Sequence, residues 1–502
     1  MRYSKAIILN PPNPPGYVSN KDSMGGFGQL FGIGAPPAPS LDLPYLAAYL
    51  RSLDYPLDVV EAGADRLTTE AVCERISRTA NARDALLVVR TSLPTIDWDL
   101  DVCASIRRHC EMAGIALIGP IVRPLLGRIK TERAIDYAVA GEPDYVVAEL
   151  MRGDPARDIA GLVHREDGEW IENPERRFEV DLDRQPFPAW DLFPTEKYVI
   201  PRSSNVGWMR FLPMLTSRGC PYGCNYCPYP VGQGLRWRYR SAENVVDEIE
   251  WLVRDFKIDY IVFRDPMFSM KKNRTLDICR EIQRRGIRVK WRCETRVDRL
   301  DDEMIEAMAR AGCSGINFGV ESTDPDIQEG VGRRAILPAE FRRMIDSCRR
   351  NGIETFAFYI VGLPGDNVGT IMDSIEFAVE ARTGWTQFTV STPFIGTKLH
   401  EFAVARGYIE PDFYRVVSSH EGSVGNGILT AAQIHGMHRF AQFLSNNLLN
   451  RRGILKNARR ADAVYASARS LADLACYAAA RILVKIGRWY FRLATRPVGE
   501  NA

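Results

Sequence analysis

The segment Arg218-Gly219-Cys220-Pro221-Tyr222-Gly223-Cys224-Asn225-Tyr226-Cys227-Pro228 spaces three cysteines as Cys-x3-Cys-x2-Cys. Three thiolates on one tight loop are soft ligands suited to zinc or to an iron–sulfur cluster. A structural zinc site wants a fourth Cys or His close by. No His occurs between His164 and His400, and the next cysteine is Cys279. Three ligands without a fourth leave one metal position open, where a substrate or cofactor binds. The glycines and proline let the loop wrap tightly, with backbone N–H groups free to point at cluster sulfides. The other eight cysteines (Cys73, Cys103, Cys110, Cys279, Cys293, Cys313, Cys348, Cys476) stand singly in apolar patterns and read as small buried hydrophobes. They lack the paired density of a secreted disulfide framework.

The loop follows an apolar run at 212–216, the first of six expected strands, with the others at 260–263, 289–293, 315–319, 355–360 and 387–391. Helical patterns near 241–256, 271–285, 301–311, 338–351 and 367–382 separate them, with Ser241 placed as an N-cap. Six strand–helix units predict an open, partial barrel with parallel strands and chemistry at the carboxyl strand ends. An earlier alternation fills residues 1–150, with strands expected at 6–9, 57–60, 85–89, 116–118 and 137–140. Continuous apolar strands between helices predict a doubly wound, Rossmann-like parallel sheet covered on both faces. Ligands bind at the carboxyl ends of such strands. There the residues are small or polar: Thr91 and Ser92, Gly119 and Pro120, Gly141 and Glu142. A Gly-x-Gly-x-x-Gly fingerprint after the first strand is missing, which disfavours a dinucleotide. The fold expected is thus α/β in two units, 1–150 and 206–400, joined by a proline- and aromatic-rich linker at 151–205 and followed by a helical region at 401–502.

The cysteine loop resembles that of the radical S-adenosylmethionine (radical SAM) enzymes, and the resemblance extends over residues 211–396. It implies that Cys220, Cys224 and Cys227 hold a 4Fe–4S cluster whose fourth iron is chelated by S-adenosylmethionine. Tyr226 matches the family's aromatic near the adenine. Gly319-Val320-Glu321-Ser322 looks like the motif meeting the ribose and methionyl part, and the segment opening with Ile360-Val361-Gly362 looks like the adenine contact. Glu294 and Arg296 are candidate partners for the zwitterion. The family's Gly-Gly-Glu segment is replaced by Arg264-Asp265-Pro266, leaving Asp265 to accept from the methionyl ammonium. The alternative for Asp265, Glu294 and Arg296 is a plain ion-pair network at the barrel rim.

A radical SAM barrel preceded by a doubly wound domain is similar to the cobalamin-binding subclass. That resemblance implies that Thr91, Ser92, Gly119, Pro120, Gly141 and Glu142 line the lower face of a cobalamin. An Asp-x-His-x-x-Gly motif is absent, so no protein histidine is expected as axial ligand. The activity implied is a C-methyltransferase acting on an unactivated carbon of a biosynthetic intermediate. A 5′-deoxyadenosyl radical abstracts a hydrogen and methylcobalamin delivers the methyl group. The alternatives are a cyclase, ring-contracting or oxidising enzyme with the same cofactors, and a corrinoid or iron–sulfur sensor. Expected partners are a small-molecule substrate, hydrophobic or lipid-like in one reading, and a reducing electron donor such as flavodoxin or ferredoxin. No catalytic side chain beyond the cofactor ligands is readable.

The 502 residues are 46% hydrophobic and 25% charged with net charge +2, which argues against a nucleic-acid partner. The cysteine usage, and an N-terminal apolar run too short for a signal peptide, predict a cytoplasmic protein. Residues 451–502 carry eleven Lys or Arg against three Asp or Glu. Within them Leu471, Leu474, Ala478, Ile482, Ile486, Trp489 and Leu493 repeat at helical spacing beside a stripe of Arg481, Lys485, Arg488 and Arg492. Two readings stay open: a helix docked on the barrel, or an amphipathic helix lying peripherally on the inner face of a membrane.

Overall fold

The computed structural model describes residues 3–79, 81–201, 208–414, 424–449 and 463–495. Strand Lys5–Asn10 sits between Leu57–Glu61 and Ala85–Arg90, followed outward by Gly114–Ile118 and Tyr137–Val139, all parallel. The order of the sheet reverses between the first strand and Ala85–Arg90, which is the switch point of a doubly wound fold. Every residue of Ala85–Arg90 is buried because helices cover both faces.

The sheet does not stop near residue 150. Strands Leu162–Glu166 and Glu169–Glu172, inside the expected linker, add an antiparallel hairpin to its edge. The turn is Asp167-Gly168 with φ of 52° and 87°, a pairing that suits the twist of a tight hairpin. In the rest of that segment Trp190 is fully buried, edge-on to Phe193 and Tyr198. It helps join the two units into one core.

The second sheet has six parallel strands: Trp208–Met214, Tyr260–Phe263, Lys290–Thr295, Cys313–Glu321, Glu354–Val361 and Trp385–Val390. Val199–Pro201 pairs antiparallel to the first of them. The barrel is open, as six units predict. Ser241 caps its first long helix, accepting from the Asn244 N–H at 3.2 Å. Along Lys290–Thr295 and Glu354–Val361 one set of side chains is buried under the helices while the alternate set is only partly covered. The concave face is therefore a cavity wall, unlike the side-chain-filled interior of a closed barrel.

The C-terminal region is helical. Helix Ala463–Ala494 docks on Val368–Ala381 and Ala431–Leu444. It does so with Ala480, Leu483, Val484, Gly487 and Phe491, and Gly487 lets Phe440 come so close that a Cβ would lie 2.6 Å from its ring. Of the apolar stripe read from the sequence, Ile482 is 59%, Ile486 54%, Trp489 66% and Leu493 42% exposed. Arg488 leaves the basic stripe to pair with Asp373 and Glu376 at 2.7 and 2.8 Å. Leu471 and Leu474 have side chains outside the described residues. Among the described residues no helix is long and apolar enough to cross a membrane.

Candidate functional site

The cysteine loop begins where Asp265, at the end of the second barrel strand, grips the end of the first. Its carboxylate accepts the N–H groups of Thr216 and Ser217 at 2.7 and 2.9 Å and the Thr216 hydroxyl. Arg274 donates to the Thr216 carbonyl at 2.8 Å. Ser217–Arg218 then pairs with Arg238–Tyr239, closing the loop at its neck. Gly219 adopts φ +82°, and a Cβ there would lie 2.2 Å from the Arg236 carbonyl, so only glycine passes. At the far side Asn225 donates its N–H to the Val331 carbonyl and accepts from the Leu399 N–H, both at 2.9 Å.

Cys220 is buried and Cys224 and Cys227 are half-buried. Burial raises the Cys220 and Cys227 thiols above the usual range, and the neighbouring Cys224 adds to it. A cationic cluster reverses that bias. Among the described residues no three Cys, His, Asp or Glu converge on a single-ion position. A cubane offers one iron to each of the three thiolates and leaves the fourth open. The chemistry of the three thiols thus fits a cluster.

Beside the loop, Arg333 donates to the Tyr226 hydroxyl at 2.9 Å, to Glu321 at 3.3 Å and to the Gly319 carbonyl at 2.7 Å. Glu321 has φ +63°, and the pairing of its strand slips a register between Gly319 and Glu321. Tyr226 and Ile360 pack on Ile327, Val331 and Leu363, an apolar surface suited to a flat ring. The N–H groups of Gly362 and Leu363 donate to Asp366 at 3.1 and 3.0 Å, fixing that segment. Burial pushes the Asp366 carboxyl up to about 7. Ser322 accepts the Asp324 N–H at 3.2 Å. Arg296 pairs with Asp298 at 2.8 Å while its guanidinium lies 4.5 Å over the Tyr222 ring of the cysteine loop. Glu294 is partly open and 3.3 Å from Arg264.

Between the two units lies a cleft of about 720 Å³. Gly119, Pro120, Gly141 and Glu142 form one wall; Arg218, Tyr229, Gly232, Gln233 and Arg264 form the other. An adjoining cavity of about 880 Å³ shares Pro120, Gly141, Glu142 and Gly232. Gly141 has φ +141° with nothing within 4 Å of where a Cβ would stand. Such a glycine cradle, with no histidine lining either cavity, fits a flat macrocycle lacking a protein nitrogen ligand. Helix Tyr229–Gln233 partitions the cleft: a Cβ on Gly232 would lie 2.5 Å from Pro120, and one on Gly25 would lie 2.8 Å from Tyr229.

Residues 214–378 match the Radical SAM superfamily. These residues form a Radical SAM superfamily domain. The chain is 29% identical over 416 residues to an uncharacterized methyltransferase of Pyrococcus horikoshii, covering 82% of this chain and 85% of the relative. It is 25% identical over 372 residues to the anaerobic magnesium-protoporphyrin IX monomethyl ester cyclase of Rubrivivax gelatinosus, covering 71% and 64%. Its fold matches the radical S-adenosylmethionine methyltransferase TsrM of Kitasatospora setae, solved with cobalamin and a 4Fe–4S cluster (TM-score 0.62, 19% identity, 77% of this chain and 72% of that one). It also matches the cobalamin-dependent radical enzyme OxsB, solved with aqua-cobalamin and S-adenosylmethionine bound (TM-score 0.68, 14% identity, 97% and 72%).

Against this radical SAM frame, three expectations change. Asp265 is fully buried and committed to Thr216 and Ser217, so it positions the loop; Glu294, paired with Arg264, is a partly covered carboxylate on the concave face. Thr91 and Ser92 are fully buried beneath residues 25–28, with Ser92 only 2.7 Å from where a Gly28 Cβ would stand, and do not line the cleft. Glu142 lines it but also clamps the units together, 3.2 Å from Arg218 and 2.8 Å from Arg238. Arg333 and Arg264 escaped the sequence reading, because an arginine's partner across a fold leaves no local pattern.

Proposed function

We propose that this chain is a cobalamin-dependent radical SAM C-methyltransferase acting on an unactivated carbon of a small biosynthetic intermediate. The observation that carries this reading is the opposition, in one cleft, of the glycine-lined strand ends of the first unit and the residues flanking the cysteine loop. In this reading Cys220, Cys224 and Cys227 hold the cluster. Tyr226, Ile360 and Gly362 receive the adenine, with Gly319, Glu321 and Ser322 toward the ribose and methionyl part. Glu294 accepts from the methionyl ammonium, and Arg296 stays at the rim beside Tyr222. Gly119, Pro120, Gly141 and Glu142 bear the cobalamin.

Together the bound groups supply one-electron cleavage of S-adenosylmethionine and a methyl donor, the electron coming from a flavodoxin- or ferredoxin-type donor. The protein's own work is positional. Arg333 ties Tyr226 to Glu321 and the Gly319 carbonyl, Asp265 holds the loop neck, and the Glu142 pairs keep the units in register. Anaerobic turnover with methyl-labelled S-adenosylmethionine and host extract, read by mass spectrometry, tests the reading: a labelled product supports it. The likeness to a cyclase over most of the chain favours ring formation as the second reading; a product without label but with 5′-deoxyadenosine selects it.

The exposed stripe of Ile482, Ile486, Trp489 and Leu493, bordered by exposed Arg481, Lys485 and Arg492, supports peripheral contact with an anionic bilayer. A basic, apolar helix face complements such a surface.

A further inference from the structure

A third cavity, of about 780 Å³, opens between the concave face of the barrel and the hairpin Tyr17–Asn20/Gln29–Gly32. Its walls are largely apolar: Val18 and Phe31 of the hairpin, prolines 36, 37 and 39, Phe211 and Val262. It shares Asp22 and Arg264 with the cofactor cleft, so whatever fills it lies next to that cleft.

At its inner end stands Arg292, on the third barrel strand and facing the concave side. Its Nε is buried without a hydrogen-bond partner. Among the described residues Arg292 makes no ion pair or hydrogen bond; Glu294, the carboxylate two positions on, is taken by Arg264. Gly315, its neighbour on the fourth strand, leaves room beside it: a Cβ there would lie 3.3 Å from Arg292 and 3.1 Å from Phe356. An unpaired guanidinium at the end of an apolar cavity is costly to keep unless an anion arrives to meet it. Its planar fork matches carboxylate and phosphate oxygens.

We propose that Arg292 is the anion anchor of the substrate site, and that the substrate is an amphiphile whose single carboxylate or phosphate head sits at Arg292 with its apolar body along Val262, Phe211 and Phe31. This rests on the proposed function for the identity of the cleft next door, and it names the substrate class. Arg292 lies deeper in the barrel than the strand-end residues assigned to S-adenosylmethionine, so it has no part in holding that molecule.

The test uses the full-length, anaerobically reconstituted protein with decanoate, decyl phosphate and 1-decanol as probes in equilibrium binding. Either anion binds about tenfold or more tightly than the alcohol, as a charge-assisted bidentate contact demands, and the tighter anion assigns the head group. Arg292→Gln levels the three affinities to within about twofold, while S-adenosylmethionine affinity is unchanged and the melting temperature holds or rises, since an unpaired buried charge has been removed. A merely structural arginine lowers it. Phe31→Ser, a change in a half-exposed wall residue, weakens all three probes alike and preserves the ratio. Binding of none of the probes, no preference for an anion, a preference that survives in Arg292→Gln, or a parallel loss of S-adenosylmethionine affinity overturns the assignment. A protein that keeps the anion preference but takes up no cobalamin or cluster instead refutes the proposed function and leaves this site standing.

Discussion

Arg264 reaches across the domain junction to Asp22: its Nη2 donates to the Asp22 carbonyl at 3.2 Å and its Nε lies 3.7 Å from the carboxylate. Burial pushes the Asp22 carboxyl up to about 6, with Arg264 opposing. A carboxyl raised above its unfolded value near 3.8 binds more protons folded than unfolded between those two values. Its contribution to stability is therefore present below about pH 4 and is lost as pH rises through about 6. Thermal melts of wild type and Asp22→Asn should diverge over that window, the wild type losing ground as pH rises. In Arg264→Gln the window should move to higher pH. Parallel wild-type and Asp22→Asn curves would remove Asp22 from the junction's pH response.

Alanine at Cys220, Cys224 or Cys227 should abolish iron–sulfur absorbance and 5′-deoxyadenosine formation, whereas Cys279→Ser and Cys348→Ser should keep both. Asp265→Ala should act through the loop neck. It strips the acceptor from Thr216 and Ser217 inside a fully buried site, costing about 2–4 kcal/mol. Iron content measured after reconstitution should fall with the melting temperature, and Asp265→Asn should restore part of both.

Much of this was legible because the informative features are local. The cysteine spacing lies within eight residues, and Ala85–Arg90 reads as a strand because burial on both faces leaves a continuous apolar run. Even the missed hairpin had a local signal in Asp167-Gly168, masked by the charged residues of its short strands. Features that join distant segments were not legible. Asp22 and Arg264 are 242 residues apart, and Tyr226 and Arg333 are 107 apart. Thr91 and Ser92 do stand at a strand end, but nothing in their neighbourhood announces that residues 25–28 fold over them. The last helix carries two apolar stripes, and the one with smaller side chains docks because Gly487 lets Phe440 approach.

Arg333 carries a further expectation. Replacing it by Met takes from the buried Glu321 its ion-pair partner, a loss of roughly 3 kcal/mol. It also frees Tyr226 to turn away from the apolar surface at Ile327 and Leu363. Equilibrium dialysis should show about a tenfold or greater loss of S-adenosylmethionine affinity, with Arg333→Lys intermediate because a compact ammonium lacks the guanidinium's fork for these three acceptors. Full affinity in Arg333→Met would separate the Tyr226 contact from the cofactor.

The glycine cradle is tested by filling it. Gly141→Val places a branched side chain into the cleft at a backbone conformation that L residues rarely adopt. Cobalamin uptake, which should be about one per chain in the wild type with no histidine nitrogen in the Co(II) spectrum, should fall about tenfold or more. Iron content should stay level. Gly127→Ala, on a helix with open space around it, should change neither.

The C-terminal helix separates docking from surface binding on different faces, so each can be broken alone. If the outward stripe meets a bilayer, Trp489 enters the apolar boundary while Arg481, Lys485 and Arg492 meet anionic head groups. Each basic residue there is worth about 1 kcal/mol and is weakened by salt. The protein should co-sediment with anionic vesicles at low ionic strength, with a blue shift in Trp489 emission, and release as salt rises. The pair Arg481→Glu and Lys485→Glu should weaken sedimentation about tenfold or more. Melting temperature and iron content should be unaffected, because neither residue is on the docked face. Val484→Asp should do the reverse: it puts a charge against the barrel helices and should lower the melting temperature by several degrees. Vesicle binding that ignores both salt and charge reversal would mean that the basic stripe plays no part, and no binding even at low salt would leave the exposed stripe without a bilayer role.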